Sequence, residues 1–228
     1  MFNVKQFDVK KFDAILARGL SHGMGSQNGQ MCIEAAICNV LGMEHSDDPK
    51  CVAKAVRSFK ISLNDRSWSS PAARAEGLRD LGLAQLGSLG VIDDREFVKK
   101  LAEKLIRVMI PTLIRDLWAT DADLMAVADE CEKEGARESA LKARDLLRKK
   151  SAAAYAAAAY AADAAYAYAA DAAYAYAYAY AAYAAYASYA ADAARDKYLL
   201  LGAKCALDVL IELKSPGCEL LGVGDAIS

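Results

Sequence analysis

Apolar positions recur at three- and four-residue steps through most of the first 150 positions, and no stretch of useful length shows the Val/Ile/Thr alternation of a half-buried strand. The pattern predicts an all-α protein: a compact multi-helix array with closely packed Ala-rich helices in its C-terminal half. At about 100° per residue, Lys50–Asn64 sets Val52, Val56, Phe59 and Leu63 in one arc. Lys50, Lys54, Arg57, Lys60 and Asn64 share roughly the opposite arc. This predicts an amphipathic helix with a basic face, broken by Ile61, whose place among the bases points to a local contact.

Local punctuation sharpens several boundaries. Ser70 followed by Pro71 is an N-cap with a first-turn proline, opening a helix Pro71–Leu86 lined on one side by Ala75, Leu78, Leu81, Gly82 and Leu86. Asp93 with Glu96 reads as a capping box for a longer helix with Phe97, Leu101, Leu105 and Val108 toward the core, and Pro111 predicts a kink or break in it. Asp47 or Asp48, followed by Pro49, predicts a turn and a helix start at Lys50. Further helices are predicted over roughly Asp8–Gly19, Gln30–Leu41, Asp121–Glu134 and Arg137–Lys150.

The chain changes character near Ser151, where a tract of Ala, Tyr and occasional Asp begins and continues to residue 198. Asp163, Asp171, Asp192 and Asp196 keep one phase on a continuous helix. Such a rod would be ~72 Å long against a ~45 Å globule, so a break into two alanine-packed helices with peripheral tyrosines is expected. Two regions follow: 1–118, carrying the candidate binding surface, and 119–228, Ala/Tyr-rich and packed on the first as one unit.

Charge narrows the functional classes. The 28 Lys and Arg nearly balance the 30 Asp and Glu, a net −2, so no basic field argues for general nucleic-acid binding. The uncharged run Ala172–Ala191 has the ~20 residues of a membrane span but only Ala, Tyr and Ser, which gain little in lipid. The six cysteines are read as reduced thiols and the location as cytoplasmic, in a bacterial host.

The segment SHGMGSQNGQMCIEAAICNVLG, Ser21–Gly42, carries glycines at G-x-G-x3-G running into an apolar helix. A helix N-terminus with free N–H groups could hold a phosphate or carboxylate at Gly25, Ser26, Gly29 and Gln30, with Lys54, Arg57 and Lys60 as counter-charges. The competing reading is a structural turn, since neither the dinucleotide fingerprint nor a P-loop is matched; no cofactor is expected. Glu34 lies among Ile37, Cys38 and Leu41, and a buried carboxylate needs a partner; a salt bridge to an arginine such as Arg74 or Arg79 is one reading, a ligand-binding or catalytic acid the other. Cys32, Cys38, His45 and Cys51 are spaced C-x5-C-x6-H-x5-C, but on a helix Cys32 and Cys38 would lie ~9 Å apart along the axis and on different faces, so no metal is expected. Asn64 and Trp68 sit in a polar connection that either lids the core with Trp68 or flanks the same concave surface.

GQMCIEAAICNVLG, DDPKCVAKAVRSFKISLNDRSWSSPAARAEGLRDLGLAQLGS and RDKYLLLGAKCALDVLIELKSPGC resemble a family of phage and bacterial proteins with an Ala/Tyr/Asp-rich middle. The tract and the ending AADAARDKYLLLGAKCALDVLIELKSPGC are similar, more loosely, to alanine-rich immunity proteins of polymorphic toxin systems. The resemblance implies a role in biological conflict and carries no catalytic residue over. The expected function is non-enzymatic neutralisation of a protein partner, a host protein or toxin. The alternatives are a phage sponge for a small anionic or nucleotide-like signal, a hydrolase-like enzyme using Glu34, His45 or Cys51, and a virion component. Self-association through the Ala-rich helices is compatible with each.

Overall fold

In a computed structural model the chain is described over residues 2–150 and 192–222, and it is all-α. The expected division of the Ala/Tyr tract into two close-packed helices lies outside the described residues, as does the tyrosine arrangement. Eight α-helices are described: α1 Val9–Leu16, α2 Ile33–Val40, α3 Lys54–Asn64, α4 Pro71–Ala84, α5 Asp94–Trp118, α6 Ala122–Glu134, α7 Arg137–Lys150 and α8 Asp192–Glu212. Short 3-10 turns occupy Val4–Gln6 and Pro216–Leu220.

The chain divides into two compact units, one of residues 1–97 with 206–228, the other of residues 98–205. In the first, α1, α2, α3 and α4 pack on one another. Phe12, Leu20, Ile33, Ile37, Leu63, Leu78, Leu83 and Leu86 are fully buried there. The apolar arcs of the sequence are buried as expected, Val52, Val56, Phe59 and Leu63 around α3 and Ala75, Leu78, Leu81, Gly82 and Leu86 around α4. Gly82 allows a close approach of α2 to α4: a Cβ there would stand 2.7 Å from Ile33 Cδ1. The C-terminal turn is seated against α4, with Ser215 Oγ donating to Ala84 O at 2.5 Å.

The second unit is built around Ile106, Ile110 and Ile114 of α5, Leu124, Val127, Ala128 and Cys131 of α6, and Ala140, Ala143 and Leu147 of α7. Gly135 ends α6 in the left-handed conformation, and Arg107 donates to the last carbonyls of that helix, Glu132 O at 2.9 Å and Glu134 O at 2.8 Å. Asp116 of α5 accepts from Lys197 Nζ and Tyr198 Oη of α8.

Three local expectations are corrected. α5 is not broken at Pro111, which stands inside one helix, because that proline forfeits one backbone donor while the isoleucines on both sides of it are held in the core; of the kink or break expected, the break is what this overturns. α3 begins at Lys54, four residues later than expected, and Asp48 does not cap it. Its first turn is capped from a distance, Ala55 N donating to Asp94 Oδ1 at 2.8 Å, while Ser88 Oγ receives Ala53 N at 2.8 Å. α2 likewise begins at Ile33, after Gln30, because the glycine segment closes on itself first. Ser70 and Asp93 cap as expected, accepting from Ala73 N at 3.0 Å and Glu96 N at 2.8 Å.

Candidate functional site

The glycine segment folds as a closed loop. Ser21 N donates to Met31 O, Ser26 N to Gln30 O, Gly29 N to Ser26 O and Cys32 N to Met24 O, and an isolated antiparallel bridge joins Gly25 and Met31. Gly25 sits at φ +68°, and a Cβ there would lie 2.3 Å from both Gln30 O and Ser21 Oγ. The Gln30 side chain donates back to Arg18 O at 2.7 Å. Behind the loop, Ile33 N donates to Asn64 Oδ1 at 3.3 Å and Ala35 N to Cys32 Sγ at 3.4 Å. The Ser26 and Gly29 amides are thus bonded within the loop, and Gly25, at positive φ, serves its turn.

Asn64, at the end of α3, is the pillar of this arrangement. Besides receiving Ile33 N, its Nδ2 donates to Ser21 O at 3.0 Å and to Asp65 Oδ1 at 2.9 Å. Asp65 Oδ1 also receives Gly23 N at 2.8 Å, tying the loop to α3 and leaving Oδ2 unused. Asn64 is buried, as an amide with three such bonds can be.

The basic face of α3 is split three ways. Lys54 is exposed, Arg57 pairs with Asp48, and Lys60 is fully buried with its Nζ 3.1 Å from Glu34 Oε1. This corrects the expected Glu34 partner. Arg74 instead donates to Leu20 O at 2.7 Å and Arg79 holds Asp13, because α2 packs on α3 and turns Lys60 toward Glu34. Glu34 Oε2 receives Gln85 Nε2 at 2.9 Å, but neither Glu34 Oε1 nor Lys60 Nζ has hydrogen-bonding geometry with any group, and Gln85 Oε1 is likewise unbonded. Burial pushes the Glu34 carboxyl above its ordinary range and the Lys60 ammonium below its own, each shift opposed by the attraction between them.

Beside this pair lies a cavity of about 90 Å³, lined by Gly23, Met24, Cys32, Glu34, Asp47, Ile61, Asn64 and Asp65. Of the sequence candidates, Glu34 and Asn64 reach it. Gly25, Ser26, Gly29, Gln30, Lys54, Arg57, Lys60 and Trp68 are not among its lining residues. Trp68 is buried, its indole N–H donating to Leu63 O at 3.0 Å, which is the core-lid reading. The sequence offered Asp47 only as a helix cap and Asp65 only as part of the polar connection after Asn64; the out-of-phase Ile61 was a further signal, and all three line the cavity. Burial drives the Cys32 thiol up to about 11 and raises Cys51 as well, so both are protonated near neutrality. His45 Nε2 stands 3.4 Å from Gly25 O.

Fold and site together define an all-helical protein with an acid-walled cavity at the α2–α3 contact. No protein-family model, curated protein or solved structure matches the chain.

Proposed function

We propose that the protein is a non-enzymatic helical binding protein that neutralises a protein partner, in the manner of an immunity or anti-defence protein, within the cytoplasm of a bacterial host. The observation that carries this reading is the cavity, whose wall has three carboxylates, Glu34, Asp47 and Asp65. A site of this kind recognises cationic groups, which protein surfaces present in abundance as Lys and Arg. The candidate chemistry of a hydrolase is absorbed elsewhere: Glu34 is committed to Lys60 and Gln85, and the Cys51 thiol is held protonated. An anion sponge draws less support, since the Ser26 and Gly29 amides are bonded within the loop, Arg57 pairs with Asp48 and Lys60 faces Glu34, with Lys54 alone of the three bases exposed. Exposed Met24 at the cavity offers apolar area of the kind that anchors protein contacts.

The test is co-expression with the toxin or defence proteins encoded beside the gene. The expected result is protection of the cell together with a stoichiometric complex on size-exclusion chromatography with light scattering. Protection at sub-stoichiometric protein, or without any complex, would overturn the reading.

A further inference from the structure

We propose that Asn28 is a site of spontaneous covalent modification: the backbone nitrogen of Gly29 closes on the Asn28 side-chain amide and expels ammonia, and water reopens the resulting cyclic imide to leave an aspartyl or isoaspartyl residue in the glycine loop.

The reaction needs a side-chain amide able to present its carbonyl carbon, a following nitrogen that no side chain crowds, and a backbone that can rotate one onto the other. Residues 28 and 29 supply all three. Asn28 stands in the turn between Ser26 and Gln30, exposed, and its amide bonds to no described residue. Gly29 has no Cβ to shield its nitrogen and the widest backbone freedom of any residue. One brake is present, the bond from Gly29 N to Ser26 O at 3.2 Å, but it closes a single turn at the surface, where local opening costs least. The other three asparagines of the chain lack the combination. Asn3 accepts Lys5 N at 3.2 Å through its Oδ1 and is followed by Val4. Asn39 lies in α2 with Val40 next to it, and Asn64 is buried with both ends of its amide bonded, to Ile33 N and to Ser21 O. The branched Cβ of a valine crowds its own nitrogen, and a helix or a bonded amide holds nitrogen and carbonyl carbon apart.

In the closing step the bond from Gly29 N to Asn28 Cγ forms as the bond from Cγ to Nδ2 breaks. The Gly29 amide proton passes to hydroxide, and the departing nitrogen takes a proton from water and leaves as ammonia. Water then opens the imide. Cleavage of the bond between Cγ and nitrogen gives aspartate; cleavage of the backbone C–N bond gives isoaspartate, whose chain runs through Cβ and Cγ and is one methylene longer. Either product places a new carboxylate, ionised at neutral pH, on the loop that carries Gly23 and Met24 of the cavity wall. The isoaspartyl form also lengthens the stretch that the bond from Ser26 N to Gln30 O closes.

The experiment incubates the full-length protein in 18O-labelled water at mildly alkaline pH, digests it at acid pH and maps the peptides by fragmentation mass spectrometry. The expected result is an 18O-bearing acid at position 28 in both aspartyl and isoaspartyl forms, accumulating faster as hydroxide rises, with Asn3, Asn39 and Asn64 intact over the same period. Gly29→Ala should slow the conversion severalfold. That variant keeps the fold, because its Cβ would meet only the end of a flexible side chain, Ser26 Oγ at 2.7 Å. An Asn28 that stays intact for a time in which the urea-unfolded chain converts there would overturn the assignment, as would earlier conversion at another asparagine or an undiminished rate in Gly29→Ala. An aspartyl product without its isoaspartyl counterpart would also overturn it, since that outcome is direct hydrolysis and not ring closure. In the isoaspartyl form the Ser26 amide should exchange faster with solvent; full protection there would overturn the effect on the loop.

Discussion

Gly25 shows how tightly one residue is specified. Its positive φ and the 2.3 Å approach of Gln30 O to a hypothetical Cβ leave no room for a side chain, and one of the obstructing atoms is backbone. Gly25→Ala should destabilise the first unit by about 1–3 kcal/mol in urea unfolding. Glu34 and Lys60 are specified by each other. Glu34→Gln strands a buried ammonium and should cost about 3–5 kcal/mol, whereas Glu34→Leu combined with Lys60→Met should recover most of that loss. If the double variant is as unstable as the single one, the pair is not the source of the loss. The glycine spacing was legible in the sequence and its use was not, because a turn and an anion cradle differ only in where the N–H groups point.

At the scale of elements, caps and apolar arcs were legible and the ends supplied from far away were not. Ser70 and Asp93 cap helices that directly follow them, which is a local matter. The start of α3 depends on Asp94 and Ser88, some thirty-five to forty residues away, and nothing near Lys50 announces it. The contact between α5 and α8 at Asp116 makes a titratable joint. Partial burial raises the Asp116 carboxyl, but donation from Lys197 and Tyr198 outweighs it, and the net position is below the ordinary 3.8. A depressed folded value means the unfolded chain binds the proton more readily, so this contribution is complete above about 3.8 and is lost as pH falls through the folded value. Asp116→Asn should flatten that part of an acid-unfolding curve followed by circular dichroism; an unchanged curve would show that the joint contributes nothing.

On the scale of the whole molecule, the C-terminal segment belongs to the same unit as the N-terminus. Ser215 reaches Ala84 O, and Gly217 lies so close to α4 that a Cβ would stand 2.0 Å from Leu83 O. A chain ending at Glu212 should lose protection of the α4 amides in hydrogen exchange while those of α6 and α7 persist; undiminished α4 protection would show the turn to be dispensable. Composition along the chain marks the change at Ser151 but is silent about this return, because contacts between distant segments leave no periodic trace.

The all-α class, the buried faces of α3 and α4 and the local caps followed from the sequence itself, since helical periodicity and side-chain capping act over a few residues. Which base meets Glu34, where the loop donors go, and that Asp47 and Asp65 share a cavity with it were decided by tertiary structure. The reason is geometric: a sequence states how often a residue returns to one side of a helix, whereas burial and charge pairing depend on which other helix lies against that side.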